Sequence, residues 1–461
     1  MKKDNLGNFK QDRIHFIGVG GCSMSGLAQI LDNLGYTVSG SDMKESSFTG
    51  VLRERGMNVH IGHDAALVDG AGLVVYTAAI KPTNVEFARA VELGIPMIER
   101  SELLGLISKD YSDVICISGC HGKTTITSML ALIAHDSHID PTVHVGGMVD
   151  FLSGGVRLGA SDVFITEACE YVRSFLTLDP KYILVNNIDD DHLDYYKDIE
   201  DIYSAFRAFV DMLPEDGILF ACADDPQTLD LAKYSKAPLV TYGIHAEADY
   251  MAKNITYNEM GYVSFDMVHE GKTLAHFDLN VPGEHNAINA LGAAVVAKLA
   301  LGIDPSESAM DLETYHLAGR RFEFVGEKAG VKFFHDYAHH PSEIKACLAA
   351  AKRYPHKKLF ALFQCNSFTR ARTLKDKYAL AFDDADFVMI PDLYPGRDID
   401  TGDIHATDLV NVIEAHSHNA HYLPSFADIK KFIWENAEDG DLVVTLGSGD
   451  VNKQQLKLLE D

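Results

Sequence analysis

Lys123, Thr124 and Thr125 follow a short glycine turn, Gly119-Cys120-His121-Gly122, and that spacing suits one kind of chemistry. Before the turn runs the apolar Val114-Ile115-Cys116-Ile117-Ser118, and after it the helical Ile126-Thr127-Ser128-Met129-Leu130-Ala131-Leu132-Ile133. A strand that turns through glycines into a helix start leaves backbone N–H groups free, and the helix dipole adds partial positive charge there. Lys123 supplies a full charge at the same place, and Thr124 a hydroxyl suited to Mg²⁺. The combination predicts a bound nucleoside triphosphate, and with it phosphoryl transfer or ATP-driven bond formation. The turn is two residues shorter than the standard phosphate loop, and Ile117 stands where that loop has its first glycine. An ordinary strand–turn–helix corner with a solvated lysine is the plain alternative.

Other groups stand at the ends of strand-like runs. Glu167 follows Val163-Phe164-Ile165-Thr166, and His192 lies in Asn186-Asn187-Ile188-Asp189-Asp190-Asp191-His192-Leu193-Asp194. Ligands of open α/β sheets sit beyond the carboxyl ends of strands. Mg²⁺ takes oxygen ligands, so Glu167 is a candidate ligand beside Thr124. His192 is a candidate for a second metal or for orienting its shell. A surface carboxylate and a capping histidine are the alternatives, and the aspartates around His192 cap helices or face solvent. Asn286 and Asn289, three apart at a helix start, share a face and offer amides to an adenine edge, with capping by Asn286 as the bland reading.

Arg321, in Gly319-Arg320-Arg321-Phe322-Glu323, can neutralise charge that develops on a transferring phosphoryl group. His339 and His340, in Phe334-His335-Asp336-Tyr337-Ala338-His339-His340-Pro341, suit a phosphate or carboxyl group; a zinc site and a turn held by His–Asp bonds are the alternatives. Arg370 and Arg372 leave the strand-like run that ends at Gln364-Cys365-Asn366, and arginine's planar fork suits a carboxylate. A second glycine turn, Gly18-Val19-Gly20-Gly21-Cys22-Ser23, puts N–H groups at another helix start, suited to a diphosphate. With Ser41-Asp42 ending the next strand, a nicotinamide dinucleotide is the first reading. Its fingerprint fails at Ser23, which favours a nucleotide diphosphate of another kind.

Strands alternating with helices must carry these residues. Ile14-His15-Phe16-Ile17, Tyr36-Thr37-Val38-Ser39-Gly40, Leu73-Val74-Val75-Tyr76 and Ile95-Pro96-Met97-Ile98 are strand-like in the first segment. Tyr182-Ile183-Leu184-Val185, Gly217-Ile218-Leu219-Phe220-Ala221 and Pro238-Leu239-Val240-Thr241-Tyr242 continue the second, before a short-strand antiparallel excursion over residues 249–282 and a helix from His285 to Leu301. Lys358-Leu359-Phe360-Ala361-Leu362-Phe363, Phe387-Val388-Met389-Ile390 and Asp441-Leu442-Val443-Val444-Thr445-Leu446 belong to the third. The expectation is an α/β protein of three domains, 1–108, 109–314 and 315–461, each a mostly parallel sheet flanked by helices.

The bulk properties narrow the class. Apolar residues make up 47% of the 461 and charged ones 23%, as in soluble globular proteins. Residues 1–13 are polar and unlike a signal peptide, and no apolar run approaches a membrane span, so a cytoplasmic protein without membrane insertion is expected. A formal net charge of −27 argues against nucleic acid as a partner and requires that an anionic substrate be held by local positive features. The seven cysteines contain no C-x-x-C pair and are expected to be reduced; Cys120 and Cys169 fall within motifs, where a catalytic thiol is the minor reading.

Taken together, the strings SGCHGKTT, EACEYVRSFL from Glu167, DDDHLDYY from Asp189, PGEHNAINAL, GRRFEF, DYAHHPSEI and DLYPGRDIDTG from Asp392 resemble the Mur ligase family, from Ile14 to about Asp450. The resemblance implies a Rossmann-like first domain for a UDP sugar, a central P-loop domain for ATP and a Rossmann-like third domain that closes over both. Gly18, Gly20, Gly21, Ser41 and Asp42 would then hold the UDP sugar. Gly119, Cys120, His121, Gly122, Lys123, Thr124 and Thr125 would hold the triphosphate, and Asn286 and Asn289 would read adenine. Thr124 and Glu167 would bind Mg²⁺, with His192 on a second metal. Arg321 would reach the γ-phosphate, His339 and His340 the reactive centre, and Arg370 the incoming amino acid or the reacting carboxyl. The implied reaction joins L-alanine to the lactyl carboxylate of UDP-N-acetylmuramate through an acyl phosphate, in peptidoglycan precursor synthesis, by a monomer or weak homodimer. Two departures stand out: Cys120 where the family usually has Thr, and Cys365-Asn366 where it usually has Pro-His. The second leaves open another small amino acid, such as glycine or serine, or a catalytically weak UDP-sugar-binding regulator.

Overall fold

Strands buried on both faces read as continuous apolar runs, and helices packed on those faces cover them. Three such sheets form in the computed structural model, which describes residues 6, 9, 12–152, 154–394, 396 and 399–460. Pro395, Arg397 and Asp398 of the DLYPGRDIDTG string lie outside the described residues. The chain divides into two compact units.

The first unit comprises residues up to Ile188, Tyr203–Tyr250 and Gly292–Asp311. It holds β1 (Arg13–Ile17), β2 (Thr37–Asp42), β3 (Asn58–Ile61), β4 (Ala71–Tyr76) and β5 (Met97–Glu99), ordered β3-β2-β1-β4-β5 and parallel throughout. The first glycine turn joins β1 to the helix Cys22–Asn33. Its other strands are β6 (Asp113–Ser118), β7 (Thr142–Val149), β8 (Gly154–Arg157), β9 (Val163–Glu167), β10 (Tyr182–Val185), β11 (Ile218–Cys222) and β12 (Leu239–Gly243). They run in the order β12-β11-β10-β6-β9-β7-β8, with only β8 antiparallel to its neighbour. Central β6 is buried from Val114 to Ser118, and the helix Lys123–Asp136 after it is buried from Thr125 to Ala134. Burying each large aliphatic side chain there contributes about 1.5–3 kcal/mol, which fixes the strand–turn–helix corner against the sheet.

The second unit comprises Asp189–Ile202, Met251–Leu291 and the chain from Leu312 onward. It contains the expected antiparallel excursion, β13 (Tyr250–Tyr257), β14 (Tyr262–His269) and β15 (Lys272–Pro282), turning at Gly261 and Gly271, both at positive φ. Its main sheet holds β16 (Glu323–Lys328), β17 (Val331–Asp336), β18 (Leu359–Phe363), β19 (Phe387–Ile390), β20 (Ala420–Tyr422) and β21 (Leu442–Leu446), ordered β16-β17-β21-β18-β19-β20. All pairs are parallel except β16 with β17. Side chains alternate between its two cores: Leu359, Ala361 and Phe363 pack beside Ile344 and Leu348, whereas Phe360 and Leu362 pack beside Ile429 and Ile433. Among the described residues, no helix is long and apolar enough to cross a membrane.

Candidate active site

The glycine turn after β6 is held from outside by two asparagines that follow β10. His121 N–H donates to Asn187 Oδ1 (2.7 Å), and Asn187 Nδ2 and Asn186 Nδ2 donate back to the His121 carbonyl (3.0 and 3.2 Å). Gly119 lies at φ +128°, and a Cβ there would meet Asn187 N at 3.0 Å, so only glycine lets the two loops approach this closely. Gly122 caps the helix in the left-handed conformation, leaving the first helical N–H groups to a ligand.

Lys123 curls back over this turn. Its Nζ donates to the carbonyls of Gly119 (2.6 Å) and Cys120 (3.0 Å) and pairs with Glu170 Oε2 at 2.9 Å. Burial alone would depress this ammonium, but the Glu170 carboxylate outweighs it and the pKa is raised, so the lysine stays charged. Glu170 is 1% exposed and sits three residues after Glu167, with no residue-type pattern to mark it in the sequence. Cys169, between them, has its thiol pushed up to about 11 by burial and then by Glu170, which argues against a nucleophilic thiolate.

Thr124 and Glu167 both border the glycine pair Gly146-Gly147 in β7. A Cβ on Gly146 would stand 2.7 Å from Glu167 Oε2, and one on Gly147 would stand 3.1 Å from Thr124 Cγ2. The two glycines therefore let β7 lie close against both side chains, and the Glu167 carboxylate with the Thr124 hydroxyl supplies hard oxygen donors of the kind Mg²⁺ takes.

At the first glycine turn, the N–H groups of Gly18 and Val19 donate to the Ser41 carbonyl, and Gly20 N–H donates to Asp42 Oδ2 at 2.9 Å. Asp42 thus shapes the turn itself. The Ser41 hydroxyl donates to Glu86 Oε2 (2.8 Å), a fully buried carboxylate that also binds His15 Nε2 and His63 Nδ1, each at 2.7 Å. Those hydrogen bonds outweigh burial and hold Glu86 below the usual carboxylate range. This polar core beneath β1 and β2 has no counterpart in the motif reading.

In the second unit, the acidic run before His192 meets cations. Arg370 Nη2 binds Asp191 Oδ1 at 3.1 Å, and Lys377 Nζ binds Asp190 Oδ2 at 2.7 Å. Burial opposes the charge on Arg370, but Asp191 prevails and its pKa is raised. His192, left-handed at φ +55°, shares a shallow pocket with Asp191, Asp194, Ser367 and Arg370. His340, fully buried, caps the helix Pro341–Ala351, and its Nε2 lies 3.1 Å from the Asp190 carbonyl. His339 Nδ1 contacts the Tyr337 carbonyl (3.0 Å) and Glu343 (3.2 Å), and burial pushes its imidazole down to about 4. His335 binds Thr445 Oγ1 (2.9 Å), so the three rings have separate partners and the zinc alternative finds no common ligand set in that string.

Arg321 lies over the Tyr337 ring and 3.8 Å from Glu343, while Arg320 is turned inward to the carbonyls of Gly447 and Gly449. Asn286 and Asn289 are buried on one face. Asn286 donates to the Pro282 carbonyl (2.7 Å) rather than capping, and Asn289 donates to Asn286 Oδ1 (3.3 Å). Arg372 is committed to Asp403 and Thr401. At the end of β18, Gln364 Oε1 and Asn366 Oδ1 are buried acceptors with no hydrogen-bond partner among the described residues, and both residues border Gly449.

Comparison with known proteins is consistent across the chain. Residues 13–112 match the Mur ligase family, catalytic domain; residues 117–297 the Mur ligase middle domain; and residues 320–449 the Mur ligase, glutamate ligase domain. The chain is 46% identical over 457 residues to UDP-N-acetylmuramate–L-alanine ligase of Caldanaerobacter subterraneus subsp. tengcongensis, covering 99% of each. It is 45% identical to the enzyme of that name from Alkaliphilus metalliredigens, covering 97% of each. Among solved structures it is similar to UDP-N-acetylmuramate-alanine ligase from Thermotoga maritima, with a TM-score of 0.80, 25% identity and coverage of 97% and 98%.

Proposed function

The chain belongs to the Mur ligase family, and from that premise we propose that it joins L-alanine to UDP-N-acetylmuramate at the expense of ATP. The observation that carries this reading is the charged Lys123 at the start of the helix that Gly122 caps, with Thr124 and Glu167 both bordering the Gly146-Gly147 pair. Near-complete coverage by ligases of that name supports the substrates.

A carboxylate is a poor acyl donor, so the lactyl carboxylate must first be activated. Its oxygen attacks the γ-phosphorus of ATP, ADP leaves, and an acyl phosphate forms. The amine of alanine then attacks the acyl carbon. Phosphate departs through a tetrahedral intermediate, and the amine loses a proton as the amide forms. Lys123 and the first N–H groups of the helix it opens bind the phosphates and offset the negative charge that builds up on them. Thr124 and Glu167 would hold Mg²⁺, which supplies Lewis-acid polarisation of phosphoryl oxygens when bound. By family resemblance His192 would serve a second metal, Arg321 the γ-phosphate, His339 and His340 the reactive centre and Arg370 the incoming amino acid or the reacting carboxyl, with Asn286 and Asn289 at adenine. Gln364 and Asn366, as buried acceptors, suit the ammonium of the small amino acid, and a cytoplasmic location is part of this reading.

The test is phosphate release with ATP, Mg²⁺, UDP-N-acetylmuramate and each of glycine, alanine and serine. Release that requires both the sugar nucleotide and alanine is expected. A stronger response to glycine or serine would reassign the acceptor, and none with any amino acid would remove the ligase reading.

A further inference from the structure

Arg100 opens the helix Arg100–Ser108 in the first unit, and neither the motifs nor the reaction above uses it. Its Nη1 donates to Ser23 Oγ (3.3 Å), in the first turn of the helix that follows the diphosphate turn. Ser23 in turn contacts His144 Nε2 (2.9 Å), and His144 Nδ1 contacts Thr166 Oγ1 (3.4 Å). The proton directions follow from the acceptors. The Thr166 hydroxyl donates to the Glu167 carbonyl (3.1 Å), so its oxygen accepts from His144 Nδ1–H. Burial, with help from Arg100, keeps His144 neutral by pushing its imidazole down to about 3. Nε2 is therefore bare and accepts the Ser23 proton, and the Ser23 oxygen accepts from Arg100.

Five residues thus form one directed chain from the diphosphate turn to the candidate Mg²⁺ ligand. Its buried middle, with His144 3% and Thr166 0% exposed, holds the guanidinium in one orientation. The rest of the Arg100 fork is open. Nε lies 4.0 Å from Glu99, Nη2 makes no hydrogen bond within the described residues, and the side chain is 23% exposed. The Glu99 carboxylate is already engaged with the N–H and hydroxyl of Ser101. Arg100 also acts electrostatically on Cys169, the neighbour of Glu170, while Glu167 acts on Cys22, the neighbour of Ser23. The guanidinium therefore meets the diphosphate turn through Ser23 and borders Glu99 at the limit of an ion pair, while Nη2 stays available to a ligand.

We propose that Arg100 binds the carboxylate of the sugar-nucleotide substrate, holding it between the diphosphate turn and the triphosphate loop, with Ser23 and His144 as positioning residues. The inference rests on the ligase reading and names the residue that presents the reacting acid. The fork can engage a carboxylate through two N–H groups while Nη1 remains on Ser23.

The test is calorimetric binding of UDP-N-acetylmuramate, and of UDP-N-acetylglucosamine, which lacks the carboxylate, to the wild-type chain, Arg100→Gln and Arg100→Lys. Turnover by the wild type is assayed in parallel. The expected result for Arg100→Gln is a loss on the order of 10- to 100-fold for the sugar acid and little change for the neutral sugar. Arg100→Lys should retain part of the affinity and the wild-type thermal midpoint, and Ser23→Ala should give a smaller loss of the same selectivity. Equal losses for both nucleotides would assign Arg100 to the diphosphate and overturn the proposal. So would unchanged affinity for both in a wild type that turns over. A wild type that binds neither nucleotide and releases no phosphate overturns the ligase reading instead. If Arg100→Gln fails to fold, the selectivity of Arg100→Lys decides alone: equal effects on both sugars refute the assignment.

Discussion

Lys123 has two duties that a double substitution can separate. It charges the phosphate loop and it neutralises Glu170, which is almost fully buried. Lys123→Ala should lower turnover on the order of 10³-fold, because a fixed positive charge at the transferring phosphoryl group is lost. It should also destabilise the fold by roughly 3 kcal/mol, because the buried Glu170 carboxylate loses the counter-charge of the ammonium. Adding Glu170→Gln should recover most of the stability and none of the turnover, as read by urea unfolding and phosphate release. Recovery of turnover in the double variant would show that the ammonium serves the fold alone. This pairing could not be read from residue types. Glu170 is one of 67 acidic residues. The segment after it passes through left-handed Val172 and Arg173, at φ +50° and +56°, a backbone course that no local pattern announces. Gly119 to Thr125 is legible by contrast, because glycine, lysine and threonine in that order are tied to one backbone shape.

Among elements, the helix Pro305–Leu312 carries an acid at the wrong end. Asp311 lies in its last turn, where carbonyl dipoles already point. Burial, then Asp136 and Glu307, raise its carboxyl from 3.8 to about 6. A carboxyl whose folded pKa is raised favours the fold when protonated. The cost is absent below about pH 3.8 and grows as pH rises through 6. Asp311→Asn should therefore stabilise the protein at pH 7.5, by about 0.5–1 kcal/mol after allowance for partial exposure, and make no difference near pH 3.5. Thermal midpoints at the two pH values test this, and equal shifts at both would refute it. Legibility also varies by element. β6, β10, β18 and β21 are buried, nearly unbroken apolar runs, and their boundaries can be read to within a residue or two. β3 is four residues long and β20 three, too short for a period to show. β7 hides behind its two glycines, which weaken a strand signal although they make room for Glu167 and Thr124.

For the whole molecule, the net charge of −27 opposes the approach of a trianionic sugar nucleotide over distances longer than any single contact. The screening length falls from about 30 Å at 0.01 M salt to about 8 Å at 0.15 M. Added salt should therefore speed association of the sugar nucleotide about two- to threefold in stopped-flow measurements, the reverse of a basic binding protein. A slower rate would mean that Arg100, Lys123 and the two helix starts already dominate the field outside the site. One further consequence concerns Asn186 and Asn187. They clasp the triphosphate turn, and two peptide bonds later the chain leaves the first compact unit at Ile188 and enters the second at Asp189. The turn that would grip a triphosphate is thus fastened, a single residue away, to the peptide bond at which one half of the protein hands the chain to the other.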